Sequence, residues 1–174
     1  GGFRPNLPPS PIVSGTFIGL AADVRSFTSN LPIILIDNFG AGGVPQGNFQ
    51  TAYMAIFDVG AGRSALTRIP DIETRTGIKI RGSSTAGQPK PNLRLETRNE
   101  KDDDRDIAPF GFPAEADWIL HAPYGFDRAL IRNPLIYELS NLCGRYAVRT
   151  RFCEVYLNTG GGLLSQAHYM GVYS

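Results

Sequence analysis

Short apolar runs of strand length recur along this chain, and each ends in a polar or glycine-rich turn. The first spans residues 31–37, is rich in isoleucine and leads into glycines at positions 40, 42 and 43. The second spans residues 51–59 and stops at Gly60. Apolar runs this short, closed by glycine, are typical of buried strands. The pattern therefore predicts a sheet whose strands are joined by glycine-rich loops.

Further strands are predicted by side-chain alternation. In residues 77–82, Ile78 and Ile80 fall on one face while Lys79 and Arg81 fall on the other. Residues 93–96 alternate again, so the two runs are expected to pair as a hairpin. Its connection, residues 83–89, is polar and carries a glycine, and is a candidate to hold a ligand. Three more strands are expected at 118–120, 151–158 and 169–173.

One segment has helical rather than strand spacing. Its apolar residues recur close to every fourth position and precede a glycine that can end a helix, in the order Ile131, Leu135, Leu139, Leu142 and Gly144. Pro134 leaves two alternatives: Asn133 caps a fresh helix with Pro134 in its first position, or the helix kinks there. Both make Glu138 helical. The expected fold class is α+β, an antiparallel sheet packed with one main helix.

The amino end has a different composition. Residues 3–11 contain four prolines, which favours an extended arm or interdomain linker. We therefore expect residues 1–30 to be a linker or arm from a preceding region and residues 31–174 to form the folded unit. The chain stops within an apolar strand at Ser174, so we also expect the polypeptide to continue beyond it.

Charge and hydropathy disfavour several partners. The net charge is only +1, with no basic stripe interleaved with aromatic residues, so nucleic acid is not an expected partner. No apolar stretch approaches the roughly 20 residues of a membrane span. The two cysteines, Cys143 and Cys153, are either free thiols or a single local disulfide.

Familiar catalytic motifs are missing from the sequence. There is no His-Glu-x-x-His and no Gly-x-Ser-x-Gly. The aspartates at 102, 104 and 106 have calcium-loop spacing, but Ile107 stands where the loop requires glycine. His121 and His168 have no neighbouring nucleophile or metal-ligand spacing, so they are not candidate site residues.

One possible pair has the chemistry of phosphoryl transfer. Lys90 follows the polar 83–89 loop, and Glu138 lies on the predicted helix. A lysine that neutralises phosphate charge and a helical carboxylate that orients it are features of kinases. The alternative is an exposed surface lysine and an exposed helical glutamate. Composition and spacing leave both open.

Several longer blocks resemble a known family. Residues 114–120, 130–139 and 144–158, together with 78–84, 89–90 and 170–173, resemble in the same order the CotH family of atypical kinases, named for a spore-coat protein. The resemblance extends from about residue 31 to the end of the chain. It implies the amino-terminal lobe of a kinase-like α+β fold.

The resemblance also implies a function. It implies ATP with a divalent metal (Mg²⁺ or Mn²⁺), phosphorylation of secreted or coat proteins, and a secreted or cell-surface location. The implied cofactor-binding residues are Lys90 on the phosphates, Glu138 orienting Lys90, and the loop residues Arg81, Ser83 and Ser84. The alternative is a noncatalytic extracellular scaffold or surface-assembly module with the same fold.

This sequence departs from the family in two respects. Residues 91–93 read Pro-Asn-Leu, where the family more usually has lysine, serine and tyrosine. The family's catalytic and metal-binding aspartates belong to a carboxyl-terminal lobe that would follow Ser174. No catalytic or metal-binding residue is therefore expected in residues 1–174, and this chain alone is not expected to catalyse. The oligomeric state is left open.

Overall fold

The computed structural model describes residues 16–122 and 124–174. It is an α+β fold, rich in strands and with one α-helix, as the sequence predicts. The helix α1 is Arg132–Leu142. The strands, numbered in chain order, are β1 Thr28–Ser29, β2 Ile33–Asp37, β3 Gln50–Phe57, β4 Ser64–Ala65, β5 Ile72–Arg81, β6 Asn92–Arg98, β7 Asp117–Leu120, β8 Cys153–Asn158 and β9 Tyr169–Tyr173.

Seven strands form one sheet in the order β7-β6-β5-β3-β2-β8-β9. All neighbours are antiparallel except β2 and β8, which are parallel. The two edge strands come together at one end, where the main chains of His121 and Ser174 exchange hydrogen bonds of 2.7 and 2.9 Å. The sheet is therefore curled, with an inner and an outer face.

Side-chain alternation in the strands builds one apolar cluster on each face. The inner cluster draws on all seven strands and includes Ile36, Met54, Ile78, Leu93, Leu95, Val155 and Tyr173. The outer cluster includes Val24, Ile33, Leu35, Phe57, Tyr156 and Leu164. Because both faces of β2 are covered, all five of its residues are buried. This explains why β2 reads as a continuous apolar run rather than an alternating one.

Part of the expected amino-terminal arm belongs to the folded unit. Residues 1–15, with the proline-rich stretch, lie outside the described residues, and the arm remains a prediction for them. Residues 16–30 pack on the outer face, where Val24 is fully buried and β1 pairs with β4 in a small second sheet. Ser29 also donates a 2.8 Å hydrogen bond to the buried Glu154 carboxylate. The folded unit therefore begins before residue 31.

The start of helix α1 decides between the two alternatives that Pro134 left open, a fresh helix capped by Asn133 or a kinked helix. The helix begins at Arg132 with Ile131 as its N-cap residue, so neither the cap by Asn133 nor a kink is found. Pro134 lies in the first turn, where its missing N–H has no intrahelical partner to lose. Gly144 has a left-handed φ of 74°, which confirms the predicted glycine at the helix end.

The orientation of helix α1 differs from the expectation that its apolar stripe packs on the sheet. No residue of the helix is buried, and the stripe faces outward, with exposed fractions of 49%, 53%, 46% and 74% for Ile131, Leu135, Leu139 and Leu142. The opposite side of the helix, with Asn133 and Tyr137, faces the protein. Helical spacing determines which side chains share a face, but not which neighbour that face meets.

The two cysteines are free thiols, Cys143 exposed and Cys153 buried, which decides between the alternatives left open above.

Within residues 16–122 and 124–174, no helix is long and apolar enough to cross a bilayer.

Candidate functional site

A cavity of about 650 Å³ opens between the inner face of the sheet and helix α1. Part of its wall is the segment 146–151, which we call the strap. The floor is apolar and belongs to the inner cluster, with Ile34, Met54, Ile56, Leu95 and Cys153. Cavities of roughly 300–1,000 Å³ with an apolar lining and a few polar groups are typical of small-molecule sites. This cavity therefore has the size and lining expected for an organic ligand.

Aromatic rings and two arginines form one wall of the cavity. Phe110 and Phe112 meet edge to face with ring centroids 6.1 Å apart, and Phe112 stacks with Trp118 at 6.1 Å and an interplanar angle of 15°. From the strap, the guanidinium of Arg149 lies 5.6 Å from the Phe112 centroid, and that of Arg151 lies 5.7 Å from the Phe110 centroid. Flat π faces beside cations suit a ligand that joins an aromatic ring to an anionic group.

His121 joins the sheet to helix α1 at the edge of the cavity. Its Nε2 lies 3.1 Å from Asn133 Nδ2 in the first turn of the helix. The Asn133 amide donates to this nitrogen when the imidazole is neutral. Burial lowers the pKa of His121 below its usual 6.5, nearby Arg81 lowers it further, and Asp127 opposes the shift. The neutral ring, which can accept the hydrogen bond, is therefore favoured.

The lowered pKa of His121 predicts a pH dependence of stability. Because the unfolded chain binds a proton on this ring more readily than the folded chain, stability is retained above pH 6.5 and falls as the pH drops below it. We expect His121→Gln to reduce the loss of unfolding free energy between pH 7 and pH 5, as measured by urea unfolding. An identical pH slope in wild type and variant would contradict this assignment.

Arg81 is the predicted site residue that lines the cavity. It ends β5, is exposed and forms no ion pair among the described residues. Gly82 follows with a φ of 105°, and a Cβ there would lie 2.3 Å from the Thr85 hydroxyl oxygen, so this turn requires glycine. The side chain of Arg81 is therefore available to a ligand.

Ser83 and Ser84 lie in the exposed loop that follows Arg81. This loop is fixed at its start, where Gln46 Nε2 donates a 3.0 Å hydrogen bond to the Gly82 carbonyl oxygen. Neither serine lines the cavity. Their hydroxyls are free to contact a group that extends from the cavity past Arg81.

Lys90 is bound within the protein, close to where the two edges of the sheet meet. Its ammonium donates a hydrogen bond to the Val172 carbonyl oxygen on β9 and lies 4.6 Å from the centroid of the Tyr173 ring. Burial lowers the pKa of Lys90, while nearby Glu154 acts in the opposite direction. The ammonium therefore stabilises the fold and is not directed into the cavity.

Glu138 is exposed on helix α1, and no ion pair joins it to Lys90 in the described part of the chain. Successive helical residues are offset by about 100°, and Tyr137 faces the cavity. Glu138 therefore points well to the side of the cavity, on the face that carries Leu135 and Leu142. The structure does not bring the Lys90 and Glu138 side chains together.

Local sequence patterns do not indicate the aromatic wall, and they place His121 outside the candidate site. Phe110 and Phe112 lie outside the predicted strands, and the pattern around Trp118 indicates only a strand. The signal that could have found them is the density of aromatic residues: three rings within nine positions, followed by arginines at 149 and 151 from a distant part of the chain.

The lining fits a nucleotide better than it fits a metal ion. A purine ring could lie against the aromatic wall and its phosphates near Arg81, whose guanidinium suits phosphate oxygens. Among the described residues, no group of three or more His, Cys, Asp or Glu side chains is placed to hold a metal.

Comparison with known proteins supports the kinase-like assignment at the level of the family. Residues 78–174 match the family described as CotH kinase protein, a shorter stretch than the resemblance from about residue 31. No curated protein matches the chain, and no solved structure does. The matched stretch contains Arg81, Lys90, Glu138 and every residue of the aromatic wall and strap. Since it covers more than half of the 174 residues, the chain belongs to the CotH kinase protein family.

Proposed function

We propose that this chain is the nucleotide-binding lobe of a secreted CotH-like protein kinase that transfers phosphate from ATP to extracellular or coat proteins. The observation that carries the proposal is the cavity of about 650 Å³, which combines an aromatic wall with arginine side chains inside the family-matched residues. The family assignment suggests the use of a nucleotide and a divalent metal, and the cavity offers complementary surfaces for the nucleotide.

The base and the phosphates are proposed to bind at different ends of the cavity. The adenine ring lies against the aromatic wall, where it would displace Arg151 and Arg149 from the rings of Phe110 and Phe112. Stacking on aromatic faces contributes roughly 1–3 kcal/mol per base. The phosphates extend toward Arg81, which forms no ion pair within residues 16–122 and 124–174. Ser83 and Ser84 would then contact phosphate oxygens from the loop.

The roles proposed for Lys90 and Glu138 require changes from the observed arrangement. Lys90 would have to exchange the Val172 carbonyl oxygen for phosphate oxygens. Glu138 would have to turn toward the sheet to orient Lys90. We therefore assign the first contact with phosphate to Arg81 and keep the Lys90–Glu138 pair as a prediction for the catalytically assembled protein.

Phosphate transfer needs groups that this chain does not provide within its described residues. In-line transfer depends on carboxylates that hold Mg²⁺ and orient the attacking hydroxyl. Within the described residues, no group of three or more His, Cys, Asp or Glu side chains is placed to hold a metal ion. We propose that a carboxyl-terminal lobe supplies them, so that residues 1–174 bind ATP without hydrolysing it.

Replacing Arg81 by alanine should weaken nucleotide binding by about tenfold or more. A hydrogen-bonded contact to a charged group is worth about 1.5–3 kcal/mol, and the exposed Arg81 is not needed for folding. Trp118 is the only tryptophan and lies in the wall of the cavity. Energy transfer from Trp118 to N-methylanthraniloyl-ATP therefore measures binding at this site directly.

Arg68→Ala is the matched control, because Arg68 is also exposed but lies outside the cavity lining. It should bind the fluorescent nucleotide as tightly as wild type, and unlabelled ATP should displace the nucleotide from both proteins. Equal affinity of Arg81→Ala and wild type would contradict the assigned phosphate position. Failure of the wild-type chain to bind the nucleotide would contradict the proposed function itself.

The second candidate is a noncatalytic scaffold or surface-assembly module with the same fold. It is favoured by the bound state of Lys90 and the outward direction of Glu138, since neither side chain is arranged for phosphoryl transfer. The fluorescence titration separates the candidates: a wild-type chain that folds but binds no nucleotide supports the scaffold.

A further inference from the structure

The apolar stripe of helix α1 and its surroundings form an exposed apolar surface. We define the docking face as Ile131, Leu135, Leu139 and Leu142, all at least 46% exposed. The stripe continues toward the strap, where Tyr146 is 92% exposed. Apolar residues are normally exposed singly, whereas a contiguous exposed group marks an interaction site.

The charges around the docking face are almost all positive. Residues 124–151 contain five exposed arginines, at 128, 132, 145, 149 and 151, and one exposed acidic residue, Glu138, which lies on the same face of the helix as Leu135. Arg149 and Arg151 lie over aromatic rings of the cavity, and Arg151 also pairs with Asp58 at 3.5 Å. Arg128, Arg132 and Arg145 are therefore the arginines left to a partner at the docking face. The other acid, Asp127, is buried and accepts a 2.8 Å hydrogen bond from the Arg132 main chain. The chain as a whole carries a net charge of only +1, so this region is a local concentration of positive charge.

We propose that the docking face binds an acidic amphipathic helix of a partner protein. Leucine side chains of the partner would pack between Leu135 and Leu139, and its carboxylates would meet the surrounding arginines. The stripe from residue 131 to residue 142 is about 16 Å long at 1.5 Å per residue, which matches three turns of a partner helix. Helices with apolar residues every three to four positions recognise such surfaces.

The charge pattern argues against a second copy of this chain as the occupant. Two docking faces brought together about a twofold axis would place the arginines of one copy opposite those of the other, which is unfavourable. An acidic partner instead brings opposite charges together and associates faster at low salt.

Two synthetic 15-residue helical peptides test the proposal against the folded 174-residue chain. Both have leucines at positions i, i+4, i+7 and i+11; one carries glutamates on its other face and the other carries lysines. Fluorescence anisotropy should detect binding of the glutamate peptide only. Raising NaCl from 50 to 500 mM should weaken this binding several-fold, because salt screens exposed charges.

Two variants locate the binding surface. Leu135→Ser combined with Leu139→Ser should reduce affinity for the glutamate peptide by at least tenfold, because two buried leucine contacts are lost. Ile69→Ser is the matched control, since Ile69 is 91% exposed but lies far along the chain from helix α1. Circular dichroism should be the same for both variants and wild type, because all three residues are exposed.

Four results would overturn the proposal. The first is that the lysine peptide binds as tightly as the glutamate peptide, and the second is that the double leucine variant still binds the glutamate peptide fully. The third is that the chain self-associates and the double variant abolishes this. The fourth is that Leu135 and Leu139 are protected in a longer form of the protein without added peptide. The last two would assign the face to a second copy or to the protein's own polypeptide. The assay contains no nucleotide, so its failure leaves the proposed ATP site untouched.

Discussion

Replacing Tyr156 by alanine is expected to lower the free energy of unfolding by about 3–5 kcal/mol, the range for truncating a large buried aromatic side chain. Tyr156 is fully buried in the outer cluster. Its ring centroid lies 5.3 Å from that of Phe27 and 5.2 Å from that of Tyr169. Truncation would leave a cavity beneath residues 18–27, and urea unfolding measures its cost.

The control for Tyr156 is the same substitution at an exposed tyrosine. Tyr146 is 92% exposed, so Tyr146→Ala should change the free energy of unfolding by less than about 0.5 kcal/mol. Tyr156→Phe should retain most of the stability, because it loses only the 3.1 Å hydrogen bond to Gln166. A small effect of Tyr156→Ala would mean that residues 18–27 do not cover the outer face as described.

The second large effect is expected from the buried carboxylate at the end of the parallel strands. Asp37 is 3% exposed and accepts hydrogen bonds from Asn158 Nδ2 at 2.8 Å and from the Phe39 main chain at 2.7 Å. Asp37→Ala leaves the buried Asn158 amide and the partly buried Phe39 N–H without a partner, and an unsatisfied buried donor costs about 1–3 kcal/mol. We expect a total loss of about 2–4 kcal/mol in urea unfolding, since water can partly replace the carboxylate.

An exposed aspartate supplies the comparison for Asp37. Asp117 pairs with Arg94 at 3.0 Å, and its side chain is 54% exposed. Asp117→Ala should therefore cost no more than about 1 kcal/mol, the usual limit for surface ion pairs. If the two alanine variants unfold at the same urea concentration, the Asp37 carboxylate does not join β2 to β8.

Local sequence patterns predicted most of the strands and the helix. Two strands were predictable because their signals depend on neighbouring residues alone. These signals are the alternation at Ile78 and Ile80 and the continuous apolar run that forms β2. The left-handed glycine at 144 was predictable for the same reason. Residues 72–76 of β5 were not predicted as strand, because threonines and charged residues there gave no apolar run.

The candidate site was harder to predict because it depends on contacts between distant residues. Lys90 meets Val172 across 82 positions, a contact that no local pattern reveals. The pairing of Lys90 with Glu138 assumed that helix α1 turns its apolar stripe inward. Arg81 was the exception: it lines the cavity because it is the last residue of β5, and the alternating pattern predicted that end of the strand.

The central position of β2 and β3 has a consequence for how the protein forms. These strands lie between β5 and β8, yet they precede residue 78, where the family match begins. A fragment limited to the matched residues would lack the middle of its own sheet. During synthesis, the second edge of β2 stays unpaired until β8, more than 100 residues later, has been made. Such long-range pairing slows folding, so the newly made amino-terminal half exposes an unpaired, highly apolar strand and is the stage most vulnerable to aggregation.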